Sequence, residues 1–166
     1  MQLSVKYVEV LLKTFKVKKE IWKPNATVAA IVEQSGKFLL VEETTSRGNR
    51  FNQPAGHIED NETITQAVIR ETLEETAYDF TPEALLGVYH WKHDHNDTTY
   101  LRFAFIGKVE HYYPEQPLDD GIIRVVWMSI DEIREKQALM RSDQVLTCFE
   151  DYLAGKHFPL EIITHL

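Results

Sequence analysis

Residues 63–77, "TITQAVIRETLEETA", constrain this chain more than any other stretch. Thr63 and Gln66 stand at capping-box spacing, which marks a helix start. Thr81-Pro82 blocks continuation, so the helix is expected to end near Ala77 or Tyr78. At about 100° per residue, Ile64, Val68, Glu71 and Glu75 share one stripe, with Ala67 and Glu74 beside it. The stripe is therefore apolar in its first half and acidic in its second. Such a helix can dock one end on a core only if the other end meets something that tolerates carboxylates. Glu71 and Glu75 repel each other at i,i+4 by about 0.2–0.5 kcal/mol. Glu74 and Glu75 sit where the helix dipole disfavours anions by about 0.3–1 kcal/mol. Arg70 offers Glu74 an i,i+4 partner and relieves part of this. A divalent cation would reverse the sign of all these costs. Three carboxylates on one helical surface form a hard oxygen site suited to Mg²⁺ or Mn²⁺. The competing reading is a solvated acidic helix end.

Around this helix the pattern is mixed. "ATVAAIVEQSGKFLLVEET" holds two β-rich runs about Ser35-Gly36, a hairpin turn signal. "TTSRGNRFNQPAGHIEDN" is rich in turn formers and reads as a loop. "EALLGVYHWK" and "TTYLRFAFIGKVE" read as strands about a polar tip, and "IIRVVWM" as another strand. Ser129 and Glu132 form a second capping box, and Ser142 opens a last helix that Gly155 ends. Strands and helices do not strictly alternate, so the expected class is α/β with a mixed sheet flanked by helices.

At 166 residues the chain is most simply one domain with a basic N-terminal extension. Residues 1–22 are expected to form an amphipathic extension through Val8, Leu11, Leu12 and Phe15, and residues 23–166 the main domain. Such an extension docks on its own domain, on the second copy of a homodimer, or on a membrane surface. The net charge is −8, and the first 23 residues carry +4, leaving −12 on the rest. An acidic body does not bind nucleic acid backbone, and it would need a cation to handle phosphate. One cysteine, Cys148, excludes an intrachain disulfide. With no apolar run long enough to span a bilayer and no signal core, the expected location is cytoplasmic.

The spacing of the charged residues sharpens the reading. Gly56, Glu62, Arg70-Glu71 and Glu74-Glu75 follow G-x5-E-x7-R-E-U-x-E-E-x-G-U, where U is bulky and apolar. This resembles the box of the Nudix hydrolases at every charged position. Thr72 replaces the first U, and Ala77 stands where the family has Gly, at a turn where φ > 0 suits Gly better. "KPNATVAAIVEQSGKFLLVEET", "NQPAGHIE", "LRFAF" and "PLEII" are similar to bacterial Nudix phosphatases of the NudJ type, along most of residues 23–162.

The resemblance implies an α/β/α sandwich in which the box forms a loop-helix-loop. It implies metal binding by Glu74, Glu75 and Glu71, with Glu71 as ligand or general base, and a carbonyl of Gly56 completing the site. Glu75 is expected to be the principal ligand. Arg70 orients a catalytic Glu, and Glu62 supports the loop. A later-loop carboxylate often joins; among Glu115, Asp119 and Asp120 we expect Asp120. Gln53, Trp91 and Arg102 are expected at the substrate. Trp91 would stack on a heterocycle or pack in the core. Arg102 would clamp phosphate or, turned away from Leu101 and Phe103, face solvent. "HWKHDHND", with His90, His93, Asp94 and His95, lacks a placed fourth ligand for zinc. Cys148 reads as packing.

The implied activity is Mg²⁺-dependent phosphatase action on nucleoside di- and triphosphates and on the thiamine-precursor pyrimidine pyrophosphate, so the expected partner is a phosphorylated small molecule such as a nucleotide. Alternatives are a pyrophosphohydrolase of ADP-ribose or dinucleoside polyphosphates, and a non-catalytic nucleotide sensor. The sensor would be expected to lack box carboxylates, and all are present.

Overall fold

The computed structural model describes residues 21–93 and 97–166. The N-terminal helix expected in residues 1–22 lies almost wholly outside the described residues, as do Asp94 and His95. Among the described residues seven strands are formed: β1 Asn25–Gln34, β2 Lys37–Thr45, β3 Gly48–Asn52, β4 Ala55–His57, β5 Tyr78–Lys92, β6 Thr99–Tyr112 and β7 Ile122–Met128. Helix α1 spans Ile64–Thr76, α2 Ile130–Glu135 and α3 Asp143–Leu153.

The sheet runs β3-β2-β1-β6-β5, with β4 paired to β1 and β7 to β2. β1 and β6 are parallel, and the other pairs are antiparallel, so the sheet is mixed. Ser35 and Gly36 turn the β1–β2 hairpin with φ of 54° and 79°, the two positive values that a two-residue primed turn requires. β1 is apolar on both faces because both are covered. Val28, Ala30 and Val32 pack with Ala67 and Val68 of α1, whereas Ile31 packs with Val145, Cys148 and Phe149 of α3. Each fully buried Leu, Ile or Phe contributes about 1.5–3 kcal/mol. The result is the expected α/β/α sandwich.

Two readings of the sequence need correction. The stretch expected as a loop before α1 contains β3 and β4. Its turn-forming residues mask two short strands, since Asn49, Asn52 and Gly56 have poor strand propensity and are held by pairing with β2 and β1. Thr81-Pro82, expected only as a helix stop, lies inside β5. β5 is the sheet's edge in this order, where a residue without an N–H is tolerated.

Helix α1 forms as its sequence dictates. Thr63 Oγ1 accepts from the Gln66 amide at 3.1 Å, and Gln66 Oε1 accepts from the Thr63 amide at 2.8 Å. Thr72, at an apolar position of the box, is fully buried and donates to the Val68 carbonyl at 2.7 Å, which satisfies its hydroxyl within the helix. Ala77 ends the helix in the left-handed region at φ 58° and donates to the Leu73 carbonyl. Among the described residues no helix is long and apolar enough to cross a membrane.

Candidate active site

Gly56 and Glu71 meet first. β4 carries Gly56 against β1, and α1 lays Glu71 over it; a Cβ on residue 56 would overlap the Glu71 carboxylate. Only glycine admits that approach. One turn on, Glu75 Oε2 accepts from the Ala55 amide at 2.8 Å. The loop is thus packed against Glu71 at Gly56 and bonded to Glu75 at Ala55.

Arg70 ties the remaining charges together. Its Nε and Nη2 form a fork on Glu62, at 3.0 and 2.8 Å, and Nη2 also donates to the His57 carbonyl at 3.0 Å. Nη1 donates to Glu71 Oε1 and Glu74 Oε2, both at 2.9 Å. The fork holds Glu62 below the usual carboxylate range, and Glu62 in turn raises the Arg70 guanidinium. One side chain therefore sets the loop, Glu62 and two box carboxylates in a single register.

Glu71 and Glu75 are left electrostatically unfavourable. Burial raises Glu71 above its ordinary range; Arg70 opposes this, and Glu74 and Asp119 add to it. Burial raises Glu75 well above its range, against the Ala55 amide, and Glu71, Glu43 and Asp119 reinforce the shift. Groups so placed gain from a cation. The donor set, all hard oxygen beside a glycine backbone, fits a divalent ion held by Glu71, Glu74 and Glu75. Among the described residues no three His, Cys, Asp or Glu side chains converge closely enough to hold an ion as they stand. Arg70 draws Glu71 and Glu74 to itself, and Glu75 is bonded to Ala55, so an ion would be taken up by exchanging these contacts.

The loop before β7 brings Asp119, rather than the expected Asp120, to this cluster. Tyr113 N, Gln116 Nε2 and Asp119 N donate to the carbonyls of Ala77, Leu73 and Glu74, closing the C-terminal end of α1. All three candidate carboxylates are exposed, but Asp119 is the one whose charge acts on Glu71 and Glu75 and whose amide is bonded to the Glu74 carbonyl.

A cleft of about 370 Å³ opens beside Gly56 and reaches Ser142 at the start of α3. Trp91 and Arg102 line it. Trp91 is not in either core cluster; its ring stacks on Tyr100 with centroids 5.7 Å apart and 25° between planes. Arg102 is 9% exposed, so the solvent-facing reading fails: the face opposite Leu101 and Phe103 is the one α3 covers. Gln53 is fully buried behind the wall, donating to the Val145 carbonyl at 3.0 Å and accepting from Arg102 Nη1 at 3.3 Å. Its neighbour Asn52 lines the cleft instead. Thr27, Glu43, Gln144 and the rim cations Arg47 and Arg141 also line it and carried no motif in the sequence. Thr27 could have been found only through the parallel register that sets it beside Arg102. His93 belongs to the cleft wall, and Cys148 is buried in the α3 core as expected.

The comparisons with known proteins agree with this geometry. The family model for the NUDIX domain matches residues 22–148. The phosphatase NudJ of Escherichia coli K12 is 39% identical over 143 residues, covering 86% of this chain and 92% of that protein. A NUDIX hydrolase from Nitrosomonas europaea superposes with a TM-score of 0.85 at 54% identity, over 87% of this chain and 98% of that one. The fold is shared more distantly, at 22% identity and a TM-score of 0.64, with a bifunctional NMN adenylyltransferase/ADP-ribose pyrophosphatase from Francisella tularensis, solved with AMP and a manganese ion; the match covers 91% of this chain and 45% of that one. With Glu71 laid over Gly56 and the family matched across most of the chain's length, this chain belongs to the Nudix hydrolases, enzymes acting on phosphoric anhydrides, and is similar to NudJ.

Proposed function

We propose that the protein is a Mg²⁺-dependent phosphatase that releases orthophosphate from nucleoside di- and triphosphates, and that a pyrimidine pyrophosphate is a further substrate. The observation that carries this reading is the pair of buried, under-compensated carboxylates, Glu71 and Glu75, against the Ala55-Gly56 backbone at the mouth of the cleft. The similarity to NudJ over 86% of the chain supports the phosphatase assignment over other Nudix chemistries. The Mn²⁺ of the distant Francisella structure supports a divalent ion in general.

A divalent cation bound here supplies charge neutralisation on the phosphate and eases deprotonation of the attacking water. Glu75 and Glu74 would hold it, and Glu71 would serve as a further ligand or accept the water's proton. Arg70 keeps Glu71 in position, and Glu62 fixes Arg70. The water oxygen forms a bond to phosphorus as the anhydride P–O bond breaks. Asp119 completes the negative surface from the loop before β7.

The test is a product assay with and without Mg²⁺ on ADP, ATP, ADP-ribose, a dinucleoside polyphosphate and the pyrimidine pyrophosphate. Metal-dependent orthophosphate from ADP and ATP is expected. Cleavage of ADP-ribose or the dinucleotide alone would replace this reading with a pyrophosphohydrolase, and no turnover would replace it with a nucleotide sensor. We also propose a cytoplasmic enzyme that forms a homodimer. Light scattering on the full chain is expected to give twice the monomer mass, and deleting residues 1–22 is expected to leave catalysis intact while changing oligomeric state or location.

A further inference from the structure

Among the described residues, five buried side-chain polar atoms lack a hydrogen-bond partner: Thr27 Oγ1, Glu43 Oε1, Asn52 Oδ1, Arg102 Nε and Gln144 Nε2. All five residues line the cleft beside Gly56. Thr27, Asn52, Arg102 and Gln144 are each at least nine-tenths buried. Buried polar groups are almost always paired, so five unpaired ones around one cleft mark a surface shaped for a polar ligand. They come from β1, β2, β3, β6 and the first turn of α3, so no local sequence feature assembles them.

The chemistry of the five selects among ligands. Glu43, Asn52 and Thr27 present acceptor oxygens, and Arg102 and Gln144 present N–H donors. A phosphate, all acceptor, would leave Glu43 and Asn52 unmatched and would be repelled by the first. Arg102 is moreover already faced by the carboxylates of Glu75 and Glu43, and its Nη1 is engaged by Gln53. Arg141 Nε stands 3.6 Å from Glu43 Oε1, an ion-pair distance too long for a hydrogen bond. Trp91 supplies a flat apolar wall of the same cleft.

We propose that this cleft reads the edge of an amino-bearing, nucleobase-type heterocycle. Glu43 and Asn52 accept from its exocyclic amino group, Arg102 and Gln144 donate to its ring nitrogen or carbonyl, and Trp91 covers its face. The inference deepens the phosphohydrolase reading and rests on it for where the phosphate end lies, over Glu71 and Glu75. Arg102 on this reading contacts the heterocycle and not the phosphate.

The experiment is calorimetric titration of the full chain, in magnesium buffer, with CMP against UMP and AMP against IMP. Each pair differs by replacement of an amino-imine edge with a carbonyl–N–H edge. The amino member is expected to bind about tenfold more tightly or better, the value of one well-placed hydrogen bond to a charged group. Glu43→Gln, which puts an N–H₂ where an acceptor stood, is expected to bring both ratios close to one. Trp91→Leu, on the half-buried wall, is expected to weaken all four ligands while keeping the ratios. Equal binding within each pair by the unsubstituted protein, or a preference that survives Glu43→Gln, overturns the proposal. A protein that discriminates in this titration but releases no orthophosphate would keep the heterocycle site and lose the phosphatase reading; release without discrimination would do the reverse.

Discussion

Replacing Glu75 by Gln separates the cost of a buried carboxylate from its use. The two side chains are isosteric, and the Gln carbonyl can keep the Ala55 amide hydrogen bond that Glu75 now accepts at 2.8 Å. Exchanging a charge-assisted bond for a neutral one gives up about 1 kcal/mol. Against this, an ion taken into a protein interior costs several kcal/mol even after relaxation. Glu75 is 9% exposed, and Glu71, Glu43 and Asp119 face it with further negative charge. Metal-free Glu75→Gln is therefore expected to be more stable than the unsubstituted protein by about 1–2 kcal/mol at mildly alkaline pH. For a chain of this size each kcal/mol moves Tm by about 2–4 °C. Divalent ion at about 100 times its Kd adds about 2.7 kcal/mol to the unsubstituted protein. The variant should gain little of this, so the order of stabilities inverts on adding Mg²⁺, and turnover is nearly lost. Thermal unfolding in chelator and in Mg²⁺ measures all four values. A variant that is less stable in chelator, or that gains as much from Mg²⁺, would refute the reasoning.

Three further outcomes follow from the same geometry. Gly56→Ala places a methyl group where the Glu71 carboxylate lies, so it should destabilise the fold by about 1–3 kcal/mol and cut kcat far more than KM; calorimetry and steady-state kinetics check this. Because burial raises Glu71 and Glu75 in the folded state, the metal-free fold binds protons that the unfolded chain has lost, and its stability should fall as pH rises from the ordinary carboxylate range through their folded pKa values. Denaturant titrations should show that slope flattening with Mg²⁺. Burial pushes the Cys148 thiol up to about 11, so the native protein should resist alkylation at neutral pH and react on unfolding, as mass spectrometry would show.

The local features were legible in the sequence because local chemistry decides them. The capping boxes at Thr63 and Ser129 and the Ser35-Gly36 turn all involve residues within a few positions of one another, whereas the left-handed end at Ala77 was not to be expected from an alanine. The acidic stripe of α1 announced its own anomaly, since like charges at i,i+4 near a helix C-terminus are disfavoured, but the stripe by itself left a solvated helix end open. The family resemblance carried by the box placed Glu62, Arg70, Glu71, Glu74 and Glu75 together, and Arg70 is indeed bonded to Glu62, Glu71 and Glu74.

Tertiary structure decided what surrounds that site. Strand alternation showed correctly that Arg102 points away from Leu101 and Phe103, but not that α3 covers that face and buries it. The charge of Asp119 acts on Glu71 and Glu75 because its loop is pinned to the last carbonyls of α1, contacts that no spacing encodes. β3 and β4 exist through pairing with β2 and β1 against their own propensities. The cleft draws Thr27, Glu43, Asn52, Arg102 and Gln144 from five elements spread over the chain. A residue's neighbours along the chain determine its backbone and its charge environment within a turn; which distant polar groups share one water-poor cleft is set only when the sheet and its two helical layers close.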